Sequence, residues 1–275
     1  MMKKYAFIGL SALLFSCGGN SDNNNNADNG ADASNNPPPA ALAYTVVKVY
    51  PHDTSSYTQG LIWHNNTLYE GTGREGFSKV ARLNIETGKP EQQEMIAQNE
   101  FGEGITILNG KIYQLTWQNH LVHVYDAATL KKVQEFNWPY DGWGITHDGT
   151  NLIISTGSNN LYFVNPADFK ILKTVGVSDN FGPVMNLNEL EMVNGFVYAN
   201  KYLSNYILKI NPETGKVEGR VDLQDIFQKS GKTYDAASIP DPEQDVLNGI
   251  AFNAATNTFY VTGKQWPALF EIKLN

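Results

Sequence analysis

The stretch Phe101-Gly102-Glu103-Gly104-Ile105-Thr106-Ile107-Leu108-Asn109-Gly110 decides the fold. Its run from Ile105 to Leu108 is β-branched and apolar, and Asn109-Gly110 is a strong signal for a two-residue hairpin turn. A carboxylate stands between two glycines at the head of that strand. Glycine on either side removes Cβ bulk, so a backbone or a ligand can approach Glu103 closely. The opening recurs along the chain as Gln59-Gly60-Leu61, Glu103-Gly104-Ile105, Trp143-Gly144-Ile145, Asn188-Glu189-Leu190 and Asn248-Gly249-Ile250, at steps of 44, 40, 45 and 60 residues. A polar insertion over 224–245 lengthens the last step.

Each opening is followed 12 to 14 residues later by Thr72, Thr116, Thr156, Asn200 or Thr262. These residues close second strands expected over 67–70, 111–115, 151–155, 195–199 and 258–261. A third strand follows, and in four units it runs into a turn: Asn84-Ile85-Glu86-Thr87-Gly88, Asp126-Ala127-Ala128-Thr129, Asn165-Pro166-Ala167-Asp168 and Asn211-Pro212-Glu213-Thr214-Gly215. Asn or Asp first, Pro next and Gly late is the chemistry of a type I turn. A fourth strand then leaves, as over 131–136 and 170–175. Four strands in each unit of 40 to 45 residues is the signature of a β-propeller blade. The fifth unit ends with its third strand, over 268–274, and an orphan strand over 44–50 can complete it. That closes the ring and leaves no exposed terminal edge. The expected fold is therefore all-β, a five-bladed β-propeller whose last blade takes its outer strand from the N-terminal side.

In a propeller the first strand of each blade lines the central channel. The five openings then gather Gln59, Glu103, Trp143, Asn188 and Asn248 at one mouth, and the loops after the second strands bring Trp117, Lys201, Tyr202, Lys264 and Trp266 across it. One carboxylate, several amides, aromatics and a lysine make a small-molecule pocket. Glu103 is either a hydrogen-bond acceptor between blades or a group that does chemistry.

The 275 residues are 41% hydrophobic and 12% aromatic, enough for a substantial core. The net charge of −8, with no Lys/Arg cluster beyond the N-terminus, argues against a nucleic-acid partner. Lys3 and Lys4 precede an apolar run over 5–15, the pattern of a signal peptide, expected over 1–16. The run ends Leu14-Phe15-Ser16-Cys17, which resembles a lipobox, and Cys17 is the only cysteine, so internal disulfides are excluded. The expectation is a lipidated Cys17 and a flexible Asn- and Pro-rich tether over 17–43, ahead of a catalytic domain over 44–275. The protein would sit at the cell envelope and meet the membrane only through that anchor. Gly71-Thr72-Gly73-Arg74-Glu75-Gly76 fits a dinucleotide fingerprint, but a strand pattern follows it where a helix is required. His120 and His123 lie three apart, pointing to opposite faces of a strand, and no H-E-x-x-H or cysteine cluster supports a catalytic zinc. No G-x-S-x-G elbow supports serine hydrolysis.

The segments Tyr57-Thr58-Gln59-Gly60-Leu61, Phe101-Gly102-Glu103-Gly104, Leu115-Thr116-Trp117, Gly142-Trp143-Gly144, Asn188-Glu189-Leu190-Glu191, Asp245-Val246-Leu247-Asn248-Gly249 and Thr262-Gly263-Lys264 occur in the order found in the plant-type glutaminyl cyclases, which the chain resembles from about Tyr44 onward. The resemblance implies a five-bladed propeller that converts the N-terminal glutamine of peptides to pyroglutamate with release of ammonia. It makes Glu103 the proton shuttle and places Gln59, Phe101, Trp117, Trp143, Asn188 and Lys264 around the substrate. Asn188, Lys264 or an indole N–H would stabilise the oxyanion. Near Ala199-Asn200 the family usually carries a tryptophan; this chain has Lys201-Tyr202, so Tyr202 takes the place of that aromatic wall, and Asn248 joins the substrate-binding set from its strand opening. The scheme needs no cofactor and no metal, and it expects N-terminal glutaminyl peptides as partners of a monomer. Two other readings stay open on the sequence: a propeller that binds a ligand or peptide without turnover, and a calcium-dependent lactonase-like hydrolase. The latter class usually has six blades and a cluster of carboxylates, against five blades and one central acid counted here.

Overall fold

The computed structural model describes residues 37–231 and 246–275. The expected signal peptide, Cys17, the expected tether up to residue 36 and residues 232–245 of the insertion lie outside the described residues.

Five antiparallel sheets follow one another along the chain, covering 58–95, 102–137, 145–176, 187–222 and 247–274. Each is laid down from its innermost strand outward. The innermost strands are Thr58–His64, Gly102–Leu108, Ile145–His147, Leu187–Val193 and Leu247–Asn253. They are mostly buried, and Gly102–Leu108 is buried throughout, whereas outer strands such as Lys89–Met95 and Lys132–Asn137 are largely exposed. The turns expected between third and fourth strands form as read: Asn84, Asp126 and Asn211 each accept backbone N–H bonds from the residues two or three ahead, or three ahead alone for Asp126. At the hairpin of the second blade, Asn109 and Gly110 take φ of 53° and 73°, the conformation a two-residue primed turn requires.

The ring closes as the sequence predicts. Tyr44–Pro51 pairs antiparallel with Ala268–Leu274, in register from Tyr44 opposite Leu274 to Pro51 opposite Ala268, and becomes the outer strand of blade 5. The ordered domain begins earlier than Tyr44, however. Ala40–Leu42 forms a strand parallel to Val217–Asp222 on the outside of blade 4. The tether's last residues are thus part of the fold, because that outer strand offers a free edge and Gly219 leaves space that Leu42 fills. One connection therefore fastens the outer edges of blades 4 and 5.

The apolar core lies between the blades. Five separate clusters occur, one at each junction of successive blades: Ile62 with Ile105, Leu115 with Ile154, Ile153 with Val197, Tyr198 with Val261, and Leu61 with Leu269 stand for them in order around the ring. At the seam between blades 5 and 1, His52 follows the closing strand. Its Nδ1 bonds the Trp266 carbonyl at 2.7 Å and its Nε2 the Glu70 carboxylate at 2.9 Å. Ser56 and Thr58 hydroxyls donate to the same carboxylate. Burial works against charge on His52, but the Glu70 carboxylate and the Trp266 carbonyl outweigh it and raise the imidazole above its usual range. Burial likewise opposes the Glu70 charge, and His52 with the two hydroxyls holds that carboxyl below its usual range.

Candidate active site

Close approach of the blades governs the site. A Cβ on Gly104 would stand 2.7 Å from the Trp143 carbonyl oxygen, and one on Gly144 would stand 2.0 Å from that of Asn188. These glycines therefore exist to let one inner strand lie against the next, and the Gly104 N–H does donate to Trp143 O at 2.8 Å. Sequence reading left a backbone or a ligand as what approaches beside Glu103; at Gly104 it is the backbone of the next blade.

Four of the five inner strands shift register at the repeated motif: between Thr58 and Gly60, Gly102 and Ile105, Leu187 and Leu190, and Leu247 and Ile250. A bulge leaves residues unpaired and re-aims their side chains. The re-aimed residues are Gln59, Glu103, Asn188-Glu189 and Asn248. In blade 3 the pairing starts only at Ile145, and Trp143 precedes it, its N–H bonded to Ser155 O.

The result is a cavity of about 330 Å³ lined by Tyr57, Gln59, Phe101, Glu103, Trp117, Trp143, Asn188, Tyr202 and Lys264. The rings stand edge to face: Tyr57 with Phe101 at 6.0 Å between centroids, Phe101 with Trp117 at 5.8 Å, and Trp143 with Tyr202 at 5.5 Å. Lys264 Nζ sits between two aromatic faces, 4.7 Å from the Tyr57 ring centre and 4.5 Å from that of Tyr202. Its side of the site is fixed by backbone bonds from Lys264 N–H to Val246 O and from Gln265 N–H to Ser56 O.

Glu103 is 5% exposed. Burial pushes its carboxyl well above the usual carboxylate range; the Lys264 charge pulls it back and the Asp141 charge pushes it further up. A hydrogen bond is not among the influences on it. The two other central carboxylates differ. Glu189 Oε1 accepts the Leu61 N–H at 3.2 Å, and Glu191 Oε1 accepts the Phe252 N–H at 3.0 Å. Burial, with the Glu191 charge behind it, pushes Glu189 well above its usual range, and burial pushes Glu191 up to about 8. Both serve as acceptors between blades, the role weighed for Glu103 from sequence.

Eight of the sequence-predicted residues meet in the cavity: Glu103, Asn188, Lys264, Gln59, Phe101, Trp117, Trp143 and Tyr202. Asn248 does not line it. Its Nδ2 donates to Thr58 O and Gln59 Oε1, both at 3.0 Å, so it stands behind Gln59 and orients that amide. Trp266 is also absent; its ring covers Gly263 and packs on Phe227 and Phe270, while its carbonyl holds His52. Asn188 presents an acceptor, since its buried Oδ1 has no hydrogen-bond partner among the described residues. Sequence reading missed Tyr57 as a lining residue. The signal was available, because Tyr57 lies two residues before Gln59 in an extended segment and shares its side. Arg74 was also missed: at φ of 82° its guanidinium lies 4.6 Å from the Tyr57 ring centre and donates to Gln265 Oε1 at 2.8 Å, bracing blade 1 against blade 5.

Among the described residues no group of three or more His, Cys, Asp or Glu side chains is arranged to hold a metal. His123 is occupied by Glu100 at 2.6 Å. A larger concavity of about 920 Å³, beside Leu223, Phe227 and Trp266, has no buried acid or base among its described lining residues. The smaller cavity is the one with chemistry in it.

A family model described as glutamine cyclotransferase matches residues 18–274. A curated glutaminyl-peptide cyclotransferase from Arabidopsis thaliana is 38% identical over 231 residues, which are 83% of this chain and 70% of that protein. The crystal structure of Myxococcus xanthus glutaminyl cyclase aligns with a TM-score of 0.79 and 32% identity, over 86% of this chain and 98% of that one.

Proposed function

This chain belongs to the glutamine cyclotransferase family, and on that premise we propose that it cyclises the N-terminal glutamine of peptides and proteins to pyroglutamate, releasing ammonia. The observation that carries the reading is a buried carboxyl, Glu103, with a raised proton affinity, sharing an aromatic-lined cavity of about 330 Å³ with Lys264.

The α-amine of a peptide has a pKa of about 7.7–8.0. It arrives largely protonated near neutral pH and cannot attack in that form. An ordinary carboxylate is too weak a base to take the proton, but a desolvated one approaches the amine in affinity. Glu103 therefore accepts the ammonium proton, which frees the nitrogen lone pair. The amine attacks the γ-carboxamide carbon of the same residue, forming the ring C–N bond and an oxyanion. Because nucleophile and electrophile share one residue, holding that residue folded provides a large proximity gain. Lys264, with the Gln59 amide, stabilises the oxyanion. As the intermediate collapses, Glu103 gives its proton to the side-chain nitrogen, the bond from carbon to that nitrogen breaks and ammonia leaves. Glu103 takes the second proton from the ring nitrogen and passes it to water, so that pyroglutamate keeps a single ring N–H. Asn188 Oδ1 accepts an N–H of the substrate, and Phe101, Trp117, Trp143, Tyr57 and Tyr202 exclude water and enclose the glutaminyl side chain.

Attachment through a lipidated Cys17, after removal of a signal peptide, and residence of the monomer at the cell envelope belong to the same proposal. They rest on the charged-then-apolar N-terminus and on the single cysteine at its end. Incorporation of labelled fatty acid, abolished in Cys17→Ser, tests them. The activity itself is tested by ammonia release from a glutaminyl peptide and by loss of the free α-amine in the product. A protein that binds the peptide and releases no ammonia refutes cyclisation.

A further inference from the structure

The glutamine that reacts is the first residue of a chain. The rest of the peptide must leave through the mouth and cross one of its rims. The rims differ in chemistry. Between blades 1 and 5 the rim is cationic, with Arg74 over Tyr57. On the blade 3 side it carries the Asp141 carboxylate, close enough to act on Glu103. On blade 4 it carries Lys201 and two exposed apolar side chains, Met185 and Leu203. Leu187 pairs with Lys201 there, and the Tyr202 N–H donates to Asn186 O at 2.9 Å. Met185 precedes Asn186 and Leu203 follows Tyr202, so both lie next in the chain to that bonded pair.

These two side chains are 50% and 52% exposed. Leu203 also has φ of 59°, in the left-handed region where a leucine is an outlier and glycine or asparagine is at ease. An exposed apolar side chain on a strained backbone position gains the fold nothing in packing or in backbone energy. Strain of this kind is concentrated at ligand-contacting positions. Methionine, at Met185, is the side chain most able to reshape itself to varied partners.

We propose that Met185 and Leu203 form an apolar ledge that receives the side chain of the residue following the glutamine, so that the preferred substrates carry a large apolar residue in second position. This rests on the cyclase reading and extends the same site outward. The peptide crosses the blade 4 rim, with its second side chain against the ledge and its backbone turned away from Arg74.

The test compares ammonia release from Gln-Phe-Gly-amide, Gln-Ser-Gly-amide and glutamine amide, in the wild type and in the double variant Leu203→Gly, Met185→Ser. Glycine is the relaxed residue at φ of 59°, so this variant retains its backbone. The wild type should favour the Phe peptide over the Ser peptide by about tenfold in kcat/KM, what burying roughly 60 Å² of apolar surface supplies. The difference should lie in KM, as for uniform binding. In the variant the ratio should fall to about one while glutamine amide, which has no second residue, is turned over as before. A wild-type ratio near one, a ratio that survives the substitutions, or an equal loss on all three substrates each overturns the ledge. If the wild type releases no ammonia even from glutamine amide, cyclisation itself has failed. The ledge is then decided by peptide quenching of tryptophan fluorescence: the same loss of preference in the variant supports it, and equal affinities overturn it.

Discussion

Replacing Glu103 by glutamine separates chemistry from architecture, because the two roles predict opposite changes in stability. The amide matches the carboxyl in size and stays neutral at every pH, so it removes proton transfer and keeps the packing between Trp143 and Gly104. Loss of a general acid–base group lowers kcat by about 10²- to 10⁴-fold, or roughly 2.7–5.5 kcal/mol of barrier. The stability effect follows from burial. Glu103 has a folded-state affinity for protons well above the unfolded value of about 4.3. The folded state therefore holds more protons between those two values, and stability is lost as pH rises through that window, at up to about 1.4 kcal/mol per pH unit. Glu103→Gln removes that part of the slope, so its thermal midpoint should exceed the wild-type value, increasingly so as pH rises above the unfolded value. The assays are ammonia release at saturating peptide and thermal melts at a series of pH values. Full retention of activity would refute the proton-transfer role. A variant that loses activity but also loses stability at every pH would refute the reasoning differently, since it would make Glu103 a structural acceptor like Glu189.

Lys264→Met removes the charge that draws Glu103 back toward ionisation, so the acid limb of the pH–rate profile should move to higher pH and kcat should fall by about 10²-fold or more; an unmoved limb in pH–rate measurements counts against the pairing. His52→Asn should destabilise the seam by about 3–5 kcal/mol, the scale for breaking a buried pair. Because the folded-state affinity of His52 is raised, its contribution is complete below the unfolded value of about 6.5 and is lost as pH rises through the folded one, so denaturation curves of variant and wild type should converge in alkali. Gly144→Ala would drive a Cβ to 2.0 Å from the Asn188 carbonyl oxygen and push apart the strands bearing Trp143 and Asn188; activity should fall by about 10²-fold with stability lowered by about 3 kcal/mol, and a variant with normal kinetics would show that the junction can give.

Much of this protein could be read from its sequence because a propeller repeats itself. The Gly60, Gly104 and Gly144 positions announce close inner strands, and the strand over 44–50 supplies the fourth strand that the last repeat lacks. What could not be read is decided by neighbours distant in sequence. Asn188 and Asn248 open their strands alike, yet only Asn188 reaches the cavity. Gly249 has φ of 113°, a conformation closed to Glu189 at the equivalent place, so the two bulges bend their strands differently. Trp266 follows a lysine that lines the site but is itself folded back over Gly263, through a left-handed Gln265 that no periodicity signals. The extra strand Ala40–Leu42 arises from an edge and a glycine on blade 4, and nothing in Ala-Ala-Leu demands it.

The repeat also explains why one acid can be singled out, and why repetition alone is insufficient. Two blades depart from the polar-Gly-aliphatic opening with a carboxylate: Glu103 in the first position, Glu189 in the second. Both are buried and both are pushed well above the usual carboxylate range. Departure and a raised proton affinity therefore fit either as the working group. Geometry divides them. Glu189 Oε1 accepts the Leu61 N–H across the ring, so that oxygen is engaged in holding blade 4 to blade 1. Glu103 lines the cavity, with Lys264 and Asp141 acting on it through charge. A proton carrier has to exchange its proton with something that arrives and leaves, and of the two carboxylates only Glu103 faces a space where that can happen.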